Sequence, residues 1–112
     1  MTGLEADPES RIPEAYALLQ NDPNPFNPQT HIEFHLPESA EAGLSLFDIQ
    51  GREIRRLLQG RVAAGRHKMI WNGRDTSGKL VPSGVYFYRL TVKDGRTGSA
   101  ARVLVRKMLL LK

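Results

Sequence analysis

Apolar and polar residues alternate in short runs along this chain, and glycine, proline or aspartate breaks each run before it reaches helical length. In "HIEFHL", Ile32, Phe34 and Leu36 fall on one side of an extended backbone and His31, Glu33 and His35 on the other, because successive strand side chains point to opposite faces. The period recurs. After a turn region "LPESAEAG", the strand "LSLFDI" puts Leu44 and Leu46 together; "AAGRHKMIWNG" aligns His67, Met69 and Trp71; "VYFYRLTV" is dense in the aromatic and β-branched residues that strands favour. "EIRRLL" also fits helical spacing through Ile54, Leu57 and Leu58, but it is short and bounded by turns, so a strand is predicted. "AYALLQ" (Ala15 to Gln20) reads as a short edge strand, and "ARVLVRKMLLLK" as a closing strand that becomes apolar on both faces.

The connections repeat one grammar. Asp48 precedes Gly51, and Asp75 precedes Gly78, by the same interval, the pattern of a type I turn whose glycine tolerates positive φ. "KDGR" reads as an Asp-Gly hairpin turn. Six or seven short strands at regular spacing, with no amphipathic helix of useful length, predict an all-β fold: an antiparallel β-sandwich of immunoglobulin-like type. At 112 residues the chain is one domain of ordinary size, able to bury about two-thirds of its unfolded surface. It has no cysteine, so the likeness to antibody domains is one of architecture, with Trp71 expected at the centre of the core.

"QNDPNPFNPQT" departs from this rhythm. Pro23, Pro25 and Pro28 cannot donate to a sheet ladder, and Asn21, Asn24 and Asn27 favour local turns. Phe26 stands alone among them as a large apolar residue. The segment is predicted to be an ordered entrance to the fold, with Phe26 reaching the core. Upstream, residues 2–14 are acidic and poor in large apolars, so residues 1–16 read as a linker tail and 17–112 as the sandwich. No basic stretch followed by an apolar one opens the chain, so a signal for export, if there is one, is expected upstream in a longer parent.

Several chemistries lack their usual signatures. Three histidines, no cysteine and no Gly-x-Ser-x-Gly elbow leave no assembled nucleophile and base, so no catalytic residue and no cofactor is predicted. His31, Glu33 and His35 share a strand face, but a trio on one strand without a fourth ligand reads as a solvated surface, and no metal site is predicted. The net charge is +4, yet Arg52, Arg55, Arg56, Arg61, Arg66, Lys68, Arg74 and Lys79 are scattered. Nucleic acid is therefore not an expected partner, since its binders gather basic residues around stacking aromatics. The aromatics of "VYFYRL" with Trp71 offer an alternative: an accessory module that binds carbohydrate or a cell surface through an exposed platform.

The closing "RKMLLLK" (Arg106, Lys107, Met108, Leu109, Leu110, Leu111, Lys112) is the principal candidate site. Met108 and Leu110 point one way and Leu109 and Leu111 the other, whereas a strand with one buried face needs only one such pair. The second pair is expected to meet a partner, by pairing along the strand edge.

Taken in order, "NDPNPFNPQT", "LFDIQGREIRRLL", "AAGRHKMIWNGRDTSGKLVPSGVYFYRL" and "RKMLLLK" resemble the type A C-terminal sorting domain of the bacterial type IX secretion system, which is similar to the immunoglobulin-like domain of flagellar hook-capping proteins. The resemblance runs from about Leu19 to Lys112, departing at Asp22, where the family usually has an aromatic, and at Asn72, where it has an aspartate. It implies a non-enzymatic domain joined to an N-terminal passenger and read by the outer-membrane machinery of that system. The passenger crosses the periplasm and reaches the cell surface or the medium, either released or attached to surface lipopolysaccharide. In that setting the Asn/Pro segment separates a cleavable tail from a resistant fold.

Overall fold

A computed structural model describes residues 12–94 and 96–112. Seven strands follow in sequence: β1 (Ala17–Leu18), β2 (Thr30–Leu36), β3 (Ala40–Phe47), β4 (Glu53–Val62), β5 (Gly65–Trp71), β6 (Gly84–Lys93) and β7 (Ala100–Leu110), with no helix among the described residues. They form two antiparallel sheets, one ordered β1-β2-β5 and the other β4-β3-β6-β7. This is the predicted immunoglobulin-like sandwich.

Alternation places the core. Ile32, Phe34 and Leu36 of β2 are buried between the sheets, facing Leu44 and Leu46 of β3 and Tyr86, Tyr88, Leu90 and Val92 of β6. Trp71 ends β5 with no exposed surface. Its ring lies 5.5 Å from that of Phe26 and 5.6 Å from that of Tyr86, and its indole N–H donates to the Arg74 carbonyl at 2.9 Å. Burying an indole of ~150–250 Å² is worth about 4–6 kcal/mol of transfer free energy, before conformational entropy is subtracted.

Three local expectations are corrected. β3 starts at Ala40, inside the stretch read as a turn. Ala40 and Ala42 are buried in phase with Leu44 and Leu46, so the alternation begins earlier with side chains too small to announce it. The β6–β7 connection is not a two-residue Asp-Gly turn. It runs from Asp94 to Ser99, whose backbones are bonded at 2.8 Å, and Gly98 takes the positive φ of 74°; Gly95 lies outside the described residues. The aromatic platform is lost as well. Trp71, Tyr86 and Tyr88 are all buried, because their strand face is the core face, and of the aromatics in that run together with Trp71, Phe87 alone reaches the outer face, so they form no platform for a sugar.

The two aspartate turns match each other closely. Gly51 N–H donates to the Asp48 carbonyl and Gly78 N–H to that of Asp75, each at 2.9 Å, with φ of 85° and 89°. Asp48 Oδ1 accepts from the backbone of Gln50 and Arg52, and Asp75 Oδ1 from Ser77 and Lys79. The main-chain donor of Arg52 contributes most to holding the Asp48 carboxyl below its ordinary pKa, and the Ser77 hydroxyl does so for Asp75. Of the predicted tail, residues 1–11 lie outside the described residues, Pro13 is buried, and Tyr16 packs against the core.

Candidate functional site

The two predicted segments meet at one edge of the molecule. β7 pairs with β6 on one side only, and the Asn/Pro segment crosses its other side. Phe26 N–H donates to the Leu109 carbonyl and the Phe26 carbonyl accepts from Leu111 N–H, both at 3.0 Å, making a parallel bridge to Leu110. Proline explains why this strand is one residue long. Pro25 and Pro28 flank the bridge and have no N–H to extend it. The Phe26 ring enters the core and is 2% exposed.

Side chains complete the junction. Asn24 Oδ1 accepts from Leu109 N–H at 3.0 Å, and Gln20 Nε2 donates to the Lys107 carbonyl at 2.7 Å. Arg106 Nε donates to the Leu18 carbonyl at 2.6 Å. Asn21 is buried, and its amide nitrogen donates to Thr30 Oγ1 and to the Pro23 carbonyl, while Oδ1 accepts from Gln20. Such local side-chain bonds are what turn-forming asparagine supplies. On the far side, the Pro28 carbonyl presses on Gly73: a Cβ there would sit 2.9 Å from it. Pro23, Asn24, Pro25, Asn27 and Pro28 are exposed.

Tyr88 anchors the segment from beneath. Its hydroxyl accepts from Asn21 N–H at 2.8 Å and donates to the Leu19 carbonyl at 2.7 Å. Burial raises the phenol's pKa above its ordinary value, against smaller opposing effects of the Asn21 N–H and the Arg106 charge. Gln20 and Gly73 carry no signal in the sequence, and Tyr88 stands out there only as a member of the aromatic run "VYFYRL". Its anchoring role follows once its face is known: a tyrosine in place of phenylalanine on a core-facing position implies a polar partner within reach.

Within "RKMLLLK" the burial is split as the pattern required. Met108 and Leu110 are in the core, Leu109 is half-buried, and Leu111 is 49% exposed beside exposed Arg106, Lys107 and Lys112. The expected mode of recognition needs correction, however. A partner strand cannot pair along Lys107–Leu111, because Leu109 and Leu111 already bond Asn24 and Phe26. What this stretch offers is side chains. His31, Glu33 and His35 lie elsewhere, on the outer face of the smaller sheet. There Glu33 meets His35 Nε2 at 2.7 Å and Lys68 Nζ at 4.0 Å.

The chain has relatives of known name. The family described as "FlgD Ig-like domain" matches residues 23–97. Over 60 residues it is 37% identical to the basal-body rod modification protein FlgD of Salmonella typhimurium and of Salmonella typhi, covering 54% of this chain and 26% of theirs. The match thus spans about a quarter of the curated relatives' length. Among solved structures, FlgD from P. aeruginosa superposes with a TM-score of 0.58 at 23% identity, over 72% of this chain and 61% of that one. Dimeric latent PorU from Porphyromonas gingivalis does so with a TM-score of 0.67 at 16% identity, over 91% of this chain and 10% of that one. At these identities the structural likeness is one of fold.

Proposed function

The chain belongs to the FlgD Ig-like domain family, and from that footing we propose that it is a non-enzymatic sorting domain, carried by an N-terminal passenger and read by the outer-membrane machinery of a type IX secretion system. The observation that carries this reading is the junction of the Asn/Pro segment with β7. The first and last of the four stretches that carry the sorting-domain resemblance, far apart in the chain, make one bonded surface. Lys107, Leu111, Lys112 and the exposed prolines project from it. A rigid surface with its main-chain groups internally satisfied suits recognition by a docking partner, since little ordering entropy is lost on binding. The passenger then travels through the periplasm to the cell surface or the medium, released or held on lipopolysaccharide.

A second reading has support of its own. The 37% identity to a basal-body rod modification protein favours a structural module that assembles with filament or rod subunits through the same fold.

Export of a reporter fused ahead of residues 1–112, in a bacterium that has the type IX machinery, separates these readings. Removing Lys107 to Lys112 is a poor probe. It takes Met108 and Leu110 out of the core and unbonds Phe26, and each buried side chain lost costs about 2–5 kcal/mol. The informative variant is Lys107→Glu with Leu111→Glu and Lys112→Glu, all on exposed residues. The wild-type fusion should be exported, and the triple variant should fold with an unchanged melting midpoint yet stay in the periplasm. Equal export of both, or retention of the wild type, overturns the sorting role.

A further inference from the structure

Upstream of the junction, the open edge of β7 changes character. The register with β6 runs without a shift from Arg102 to Leu110. Leu109 and Leu111 turn their backbone groups outward to Asn24 and Phe26, so by the two-residue period Val105 and Val103 turn theirs to the same side. No bond to those groups comes from another described segment. The Val103 and Val105 side chains are 54% and 56% exposed. Next to them on the outer face, Phe47, Ile49, Phe87 and Val105 line a shallow cavity of about 240 Å³, with Asp48, Gly51 and Arg89 at its rim and Arg89 lying over the Phe47 ring. An unpaired edge beside an apolar face is a template for strand addition.

Charge selects the occupant. The opposite face of the same edge carries Arg102 and Arg106. Arg102 lies over the Tyr16 ring, 5.3 Å from its centre, and Arg106 bonds a backbone carbonyl. Neither has a carboxylate partner among the described residues. A second copy of this chain fits poorly. The two-fold register that matches Val103 to Val105 also sets Arg102 against Arg106, and like charges directly opposite are destabilising. We infer that the Arg102–Arg106 edge accepts an extended segment of a different protein in which apolar residues alternate with carboxylates. Its backbone bonds Val103 and Val105, its apolar side chains join those valines on the outer face, and its carboxylates stand across from Arg102 and Arg106. This site adjoins the junction at Phe26 and shares Arg106 with it, but it does not depend on export.

A fluorescein-labelled peptide of four Val-Glu repeats, titrated against the full chain at low salt and followed by anisotropy, tests this. Saturable binding that weakens with salt, and none by a peptide of four Val-Lys repeats, is the expected result. Val103→Pro removes an outward N–H that the fold does not use, and Arg102→Glu reverses one charge. Each should weaken binding about tenfold or more, a factor that corresponds to 1.4 kcal/mol. Val105→Asp serves in place of Val103→Pro should the proline variant have a lower melting midpoint. Absence of binding by the Val-Glu peptide, equal binding of the Val-Lys peptide, or unchanged affinity in folded variants would overturn the proposal. So would a concentration-dependent dimer abolished by Val103→Pro.

Discussion

Replacing Tyr88 by phenylalanine removes one oxygen from the protein and leaves the ring in place. That oxygen is the only polar group of β6 bonded to the entrance segment among the described residues, through 2.8 Å from Asn21 N–H and 2.7 Å to the Leu19 carbonyl. The Leu19 carbonyl is half-buried and can recruit water, so its loss is small, about 0.5–1 kcal/mol. Asn21 is 3% exposed, and a buried N–H left without a partner costs about 1–3 kcal/mol. The sum is about 1.5–4 kcal/mol, or a melting midpoint lower by roughly 6–16 °C for a domain of this size. Urea titration gives the free energy directly, with an unchanged slope showing that the unfolded state is the same. A loss under about 0.5 kcal/mol would mean that Asn21 finds water or another acceptor, and that Tyr88 does not hold the segment.

Gly73→Ala should cost about 2–3 kcal/mol, since φ at this position is 77° and the new Cβ would press on the Pro28 carbonyl. Gly43→Ala, whose Cβ would meet nothing nearer than 3.7 Å, is the control, and equal urea midpoints for the two would refute the close approach. Alkaline titration provides a third check. Burial raises the folded-state pKa of Tyr88 above the ordinary 10.0, so the stability from keeping it neutral is fully present below pH 10 and is lost as pH rises toward the folded value. A melting midpoint that begins to fall above about pH 10, less steeply in Tyr88→Phe, is expected. Identical profiles for the two proteins would exclude Tyr88 as a source of the decline.

The strands were legible where one face is buried and its residues are large. Ile32, Phe34 and Leu36 announce β2 because their alternation is strong, whereas Ala40 and Ala42 occupy equivalent core positions in β3 with almost no hydrophobic signal. The aspartate turns were legible because their geometry is local, and Asp48 and Asp75 bond residues within four positions. The hairpin is the opposite case: its length is set by the bond from Asp94 N–H to the Ser99 carbonyl, which the local Asp-Gly pair does not encode. Both halves of the candidate site could be picked out separately. Their contact could not, because Phe26 and Leu110 are joined only by the complete two-sheet topology, and no spacing rule links residues so far apart.

Amide hydrogen exchange at Phe26, Leu109 and Leu111 tests most directly whether the Asn/Pro segment and β7 form a single folded unit. All three N–H groups are bonded across the junction. They should exchange only through global unfolding, with protection equal to that of Leu90 in the centre of β6. Exchange of these amides faster than the core by several orders of magnitude, while Leu90 stays protected, would show that the segment opens independently and would contradict the account.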